Sequence, residues 1–267
     1  MSDLFFWSVI YPNLFFHIIV KPKLLHLSGN VEINPGPVGP DENKKLLSIC
    51  QINVRSMMAD FNENSFLQGL PPPKLCEIKT FIRDNNFDLV AFTETWLDES
   101  ILDTNVTTSG YPTVMRKDRN RHGGGVALLI SESISVQRLE TVEPDNLEIM
   151  CFDVSLPNTR PVQHALLNVC YRPPDQDILE FLDCLQNFIN LVQRGSYSMY
   201  IGIGDFNCRS TEFWSGDINK AEGRMLKAFL DSHNLSQLID FPTRFQDGHN
   251  SCLDLIIVDK PTFIRNI

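Results

Sequence analysis

Ile201-Gly202-Ile203-Gly204-Asp205-Phe206-Asn207 is an apolar β-type run that stops abruptly in Gly-Asp-Phe-Asn. On an extended segment, side chains two residues apart leave the same face, so Asp205 and Asn207 are expected to look into one pocket at a strand's end. A carboxylate beside an amide suits metal-assisted attack on a phosphate: the carboxylate orients or deprotonates a water, and the amide holds the nucleophile or a phosphate oxygen. By itself the tetrapeptide would serve equally well as an Asx turn closing a buried strand.

Other segments of the same kind follow a fixed order. Leu47 to Ser56 is a β-type run with Asn53 near its end and Arg55 just beyond. Phe87 to Leu97 is a second, ending in Thr93-Glu94-Thr95-Trp96-Leu97. Leu166 to Pro174 closes a third with Tyr171 and Arg172 before a double proline that must break the ladder. Asp205 and Asn207 come next, then Pro242-Thr243-Arg244 and Leu253-Asp254-Leu255-Ile256. In order, Thr93 to Leu97, Gly123-Gly124-Gly125-Val126-Ala127, Tyr171-Arg172-Pro173-Pro174, Gly204 to Asn207 and Leu253 to Ile256 resemble the endonuclease/exonuclease/phosphatase superfamily. Within it they are most similar to the endonuclease domain of non-LTR (LINE-type) retrotransposons. The resemblance runs from about residue 46 to 260, and it implies a DNase I-like, four-layered α-β-β-α sandwich.

Composition is compatible with one ordinary globular domain plus an extension: 267 residues, 43% of them hydrophobic. The seven cysteines are scattered, odd in number and mostly inside apolar strands, without a C-x-x-C pair. They read as reduced core residues of a nuclear or cytoplasmic protein, not as disulfides or a zinc site. The net charge of −10 is unusual for a nucleic-acid binder. Such a binder tolerates it if acid is concentrated at a metal site and cations are local. Arg55, Arg172, Arg209, Arg224 and Arg244 lie beside the motifs, and a basic run from Arg116 to His122 precedes the glycines. That run reads first as a solvated loop.

The first 45 residues are expected to stand apart from the domain. Residues 1–23 form an apolar leader that Pro12-Asn13 interrupts, short of the roughly 20 continuous apolar residues of a membrane-spanning helix. No stable membrane partner is expected, and a secretory leader is left open. Leu24 to Pro37, with Val31-Glu32-Ile33-Asn34-Pro35-Gly36-Pro37, resembles the 2A-type ribosome-skipping peptides. In that family the nascent chain, held in the ribosome exit tunnel, prevents formation of the bond that here matches Gly36-Pro37. Asn30 stands where the family usually has Asp. Residues 38–45 read as a linker, and 46–267 as the domain.

Within the domain, Lys74 to Asn85, Asp177 to Val192 and Asn219 to Asn234 are expected helices. Val126 to Ile130, Ser133 to Leu139, Leu147 to Val154 and Gln163 to Cys170 read as a meander of antiparallel strands, with further strands at Asp88 to Phe92, Ser198 to Gly204 and Asp254 to Val258.

The resemblance implies a site. Glu94 would bind Mg²⁺ (Mn²⁺ as an alternative), helped by Asn53; Tyr171 would polarise the scissile phosphate; Asp205 and Asn207 would activate the attacking water; Arg55, Arg172 and Thr243 would contact substrate. Asp254 would orient a histidine. In the family that histidine stands in a Ser-Asp-His element after one further strand, and no such element occurs before Ile267. The domain is therefore expected to lack its last strand and that element. His249, in the Asp247 to Asn250 turn, is the nearest histidine in sequence to Asp254. The implied reaction is Mg²⁺-dependent hydrolysis of DNA leaving a 3′-hydroxyl, with a reverse transcriptase domain as partner. The alternatives are a phosphoesterase of the same fold and a catalytically dead fragment that binds nucleic acid or protein.

Overall fold

The computed structural model describes residues 18–22, 47–59, 73–157, 159, 161–245 and 250–265. Two six-stranded sheets lie face to face. The first has the order β12-β1-β2-β3-β5-β4, with β1 Ile18–Pro22, β2 Ile49–Asn53, β3 Leu89–Thr93, β4 Thr113–Lys117, β5 Val126–Ile130 and β12 Ile264–Arg265. The second has the order β10-β11-β9-β8-β7-β6, with β6 Val136–Arg138, β7 Glu148–Ser155, β8 His164–Tyr171, β9 Met199–Asp205, β10 Ser236–Gln237 and β11 Asp254–Val258. Apart from β12, the chain finishes the first sheet before it starts the second.

Strand alternation explains the layers. On β2 and β3, Ile49, Leu89 and Ala91 face the second sheet, while Cys50, Ile52, Val90 and Phe92 pack against α1, Pro73–Asn85, through Leu75, Ile78, Phe81 and Ile82. The second sheet is covered on its far side by α2, Ile178–Leu191, and α3, Ala221–Ser232. Phe181 of α2 meets Phe206, at the end of β9, edge to face with centroids 5.7 Å apart. The side chain of Asp177 caps α2 by accepting from the backbone N–H groups of Leu179 and Glu180. The result is the expected four-layered α/β sandwich.

The expected helices and strands recur to within a few residues, but the expected four-strand meander does not: β5 pairs with β3 and β4 in the first sheet, and only β6, β7 and β8 are joined in sequence. Arg116 and Lys117, expected in a solvated loop, end the strand β4. The N-terminal segment departs as well. Residues 18–22, assigned by sequence to a separate leader, form a strand that pairs antiparallel with β2, Ile18 opposite Gln51. Apolar character alone could not distinguish a leader from a sheet strand, because the pairing partner is remote in sequence. The segment resembling a skipping peptide, with Gly36 and Pro37, and His249 lie outside the described residues. All seven cysteines are unpaired; Cys76 is exposed and the other six are buried.

Candidate active site

The two sheets bring the ends of six strands together. Because β8 and β9 run parallel with Tyr171 opposite Asp205, and β9 and β11 antiparallel with Asp205 opposite Asp254, these three residues form one rung across the second sheet. Glu148, opposite Tyr171 on β7, extends the rung to four. Directly opposed side chains start within about 5 Å of one another, so the register itself concentrates these groups. From the first sheet, Gln51 and Asn53 share the inward parity of Ile49. Glu94 follows β3.

Hydrogen bonds join the halves. Asn53 Nδ2 donates to Asp205 Oδ2 at 3.0 Å, and Gln51 Nε2 donates to Asp254 Oδ1 at 3.0 Å. The Tyr171 hydroxyl is hydrogen-bonded to Glu94, whose Oε2 also accepts from Trp96 Nε1 at 2.5 Å. The backbone N–H of Asn207 donates to Asp205 Oδ1 at 3.0 Å. Tyr171, Asp205 and Asp254 are buried at the floor; Asn53, Glu94 and Asn207 are half-buried around it.

The loops that carry these groups are conformationally unusual. Arg55, Ser56, Glu94, Trp96 and Asn207 all have positive φ, between 41° and 76°. Such conformations cost about 1–3 kcal/mol each and persist where surrounding structure over-determines them. Here Ser56 N–H donates to Glu94 O, Met57 N–H to Thr95 O, and Trp96 N–H to Gly124 O, so the two loops brace each other and the glycine run. Gly204 has φ 139°, and a Cβ there would stand 1.8 Å from the carbonyl oxygen of Cys170. Only glycine lets β9 approach β8 at that point.

Electrostatics follow from crowding. Burial first, then the charges of Asp254 and Glu94, push the Asp205 carboxyl well above the usual carboxylate range, against the opposing effects of the Asn207 N–H and Arg244. Burial also raises Asp254 to about 6, countered by hydrogen bonds from Thr243 and Gln51. Glu148 is raised by burial, offset by the Gly125 N–H and by Arg119. Tyr171 is raised by burial and by its bond to Glu94, which keeps the phenol protonated and able to donate.

Expected substrate contacts need correction. Arg172 is 1% exposed, and its guanidinium donates to the carbonyl oxygens of Phe206, Gln176 and Asn207. It shapes the loop after β9 from inside. Thr243 is fully buried; its hydroxyl accepts the N–H groups of Leu253 and Asp254 and bonds the Asp254 carboxylate. It fixes the start of β11 and is out of reach of a substrate. Asn207 uses its Nδ2 on the carbonyl of Arg172 at 2.9 Å, so that nitrogen holds the loop while its backbone N–H holds Asp205. Arg55 is exposed, beyond Asn53. Sequence reasoning missed Gln51, Trp96, Arg119 and Glu148. Parity with Asn53 could have flagged Gln51, whereas Glu148 depends on the register of β7 on β8.

Among the described residues no three His, Cys, Asp or Glu side chains form a ready-made cation cage, and no histidine is bonded to the cluster; His164 pairs with Asp153. The donor set at the mouth nevertheless fits a hard ion. Glu94 offers carboxylate oxygen, Asn53 an amide carbonyl, and the surrounding excess of buried carboxylate favours added positive charge. Mg²⁺ is ordinarily held by one or two carboxylates and keeps several waters.

Comparison with known proteins agrees with this architecture. Residues 166–267 match a family model described as endonuclease-reverse transcriptase. No curated protein matches the chain. Among solved structures, the endonuclease domain of TRAS1, a telomere-specific non-LTR retrotransposon, is similar at 17% identity over 78% of this chain and 83% of that one, with a TM-score of 0.57. The catalytic domain of Xenopus laevis APE2 gives 14%, 68%, 76% and 0.54. The AP endonuclease LMAP from Leishmania major gives 13%, 68%, 72% and 0.52. The chain has the DNase I-like fold of the endonuclease/exonuclease/phosphatase proteins, and its residues 166–267 carry the sequence pattern of the endonuclease-reverse transcriptase family.

Proposed function

We propose that this chain is a Mg²⁺-dependent DNA endonuclease domain of the retrotransposon type, cutting phosphodiesters to leave a 3′-hydroxyl and acting beside a reverse transcriptase. The observation that carries the reading is the gathering of Asn53, Glu94, Tyr171, Asp205 and Asp254 from five strand ends across two sheets, through the rung Tyr171–Asp205–Asp254 and the hydrogen bonds Asn53–Asp205 and Tyr171–Glu94. In this reading Glu94 and Asn53 hold the Mg²⁺, which supplies positive charge to a phosphate oxygen when bound. Tyr171, held protonated, would turn its single O–H from Glu94 to a non-bridging oxygen once Glu94 is engaged with the ion. Asp205 takes the proton of the attacking water, its two oxygens fixed by Asn53 and by the Asn207 N–H. Asp254, tied to Gln51 and Thr243, keeps β11 beside Asp205.

The test is nicking of supercoiled plasmid with and without Mg²⁺. Glu94→Gln should lower the rate by about 10²-fold or more, the scale of losing a key electrostatic group. Excess Mg²⁺ should raise the melting temperature of the wild type, as any ligand of the native state does, and Glu94→Gln should shrink that shift. Wild-type-like nicking by Glu94→Gln would sink the assignment.

The segment Leu24 to Pro37 belongs to the same proposal as a ribosome-skipping peptide. Placed between two reporters in cell-free translation, residues 1–40 should give partly separated products divided at Gly36-Pro37. Asn30→Asp should increase separation, and Pro37→Ala should restore one fused product. A fused product from all three would leave the segment a linker.

A further inference from the structure

The run Gly123-Gly124-Gly125 is shaped around one guanidinium. A Cβ on Gly123 would stand 2.6 Å from the NH2 nitrogen of Arg119, and one on Gly124 would stand 2.5 Å from both Arg119 Nε and Glu148 Oε2. A Cβ on Gly125 would strike Thr95 Oγ1 at 2.4 Å. Gly124 and Gly125 also have φ of 70° and 85°, where side chains are strained. Within this cradle Arg119 Nε donates to Gly123 O at 3.0 Å and the NH1 nitrogen to Glu148 Oε1 at 2.9 Å. The other oxygen of Glu148 accepts the N–H of Gly125.

The cradle aims the guanidinium at the cluster. Its central carbon is 5.8 Å from the centroid of the Tyr171 ring, and Glu148, which holds it, is the cross-strand neighbour of Tyr171. The Arg119 side chain is 38% exposed, and among the described residues its NH2 nitrogen has no acceptor. The neighbouring Arg116, by contrast, is committed to Asp103 and Asp118. A polyanion approaching Glu94, Asp205 and Asp254 on a chain of net charge −10 needs a cation at the mouth.

We propose that Arg119 is a substrate-binding residue: its free N–H groups receive a non-bridging oxygen of the nucleic-acid backbone beside Tyr171, while Glu148 and the glycine run hold the fork in place. The inference rests on the phosphodiester reading above and adds the group that binds the strand. A planar fork with two of its three nitrogens already anchored loses little freedom on meeting a phosphate, which is why arginine suits the position better than lysine.

The test uses the full chain and a fluorescent DNA duplex in EDTA, so that binding is read without turnover, followed by nicking in Mg²⁺. Arg119→Gln should weaken binding by about tenfold and reduce the slope of log K against log salt by about one, the signature of one lost phosphate contact. Its KM should rise by more than its kcat falls. Arg119→Lys should keep the salt slope and recover part of the affinity. Glu148→Gln, which frees the charge from its holder, should keep the salt slope and raise KM. Unchanged affinity and salt slope in folded Arg119→Gln would overturn the proposal and reduce the pair to a brace between β7 and the loop. If Arg119→Gln does not fold, full wild-type affinity and KM in both Arg119→Lys and Glu148→Gln would overturn it equally. Glu94→Gln separates the two levels: loss of nicking there with no effect at Arg119 fails this inference alone, whereas retained nicking there fails the endonuclease reading.

Discussion

Asp205→Asn is expected to lower plasmid nicking in Mg²⁺ by about 10²–10⁴-fold, the range for removing a positioned base. The same substitution should make the metal-free protein melt higher. Asp205 is buried between Asp254 and Glu94, and its carboxyl titrates well above its unfolded value. A raised carboxyl favours the folded state only while protonated, so its contribution is present at low pH and is lost as pH rises through the folded value. The neutral amide escapes that loss, so the gain in melting temperature over the wild type should be small near pH 4 and larger at pH 7 to 8. Calorimetry across that range, beside nicking rates, checks both halves. Nicking within a factor of about three of wild type would remove Asp205 from the mechanism.

Gly204→Ala should be among the most damaging single changes in the chain. The added methyl would sit 1.8 Å from Cys170 O, at a φ of 139° that alanine avoids. Relief requires β8 and β9 to part where Tyr171 faces Asp205. A loss of about 4 kcal/mol or more is expected, beyond the usual range for point substitutions. For comparison, Gly110→Ala, with φ 81° but open space around its Cβ position, should cost only about 1 kcal/mol. Chemical denaturation of the two variants would decide. Similar midpoints would mean that the close approach is not fixed.

Much of the architecture was legible because the strands are short, apolar and bounded by turn residues, and because carboxylates and amides at their ends are costly to bury without a purpose. Asn53, Glu94, Tyr171, Asp205 and Asp254 stand together for that reason. Pairing register was not legible. Glu148 belongs to the rung only because β7 lies beside β8 with Tyr171 opposite it, which no local pattern encodes. Adjacency to a motif was also an unsafe guide to direction. Arg172 follows Tyr171 in sequence, yet it turns inward and spends its donors on backbone carbonyls. In the basic run, Arg119 alone is placed over the Tyr171 ring, because folding of the glycines, not charge, selects it.

The order in which the sheets are built has a consequence for the newly made protein. Asn53, Glu94 and Arg119 lie before Ile130, where the first sheet's run of strands closes, while Glu148, Tyr171, Asp205 and Asp254 lie on a second sheet that begins at Val136. A polypeptide still emerging during synthesis owns the first group without the second until Asp254 has left the tunnel. The cluster therefore cannot come together before Asp254 has emerged, and the order of translation itself keeps its two halves apart until nearly the whole described domain has been made.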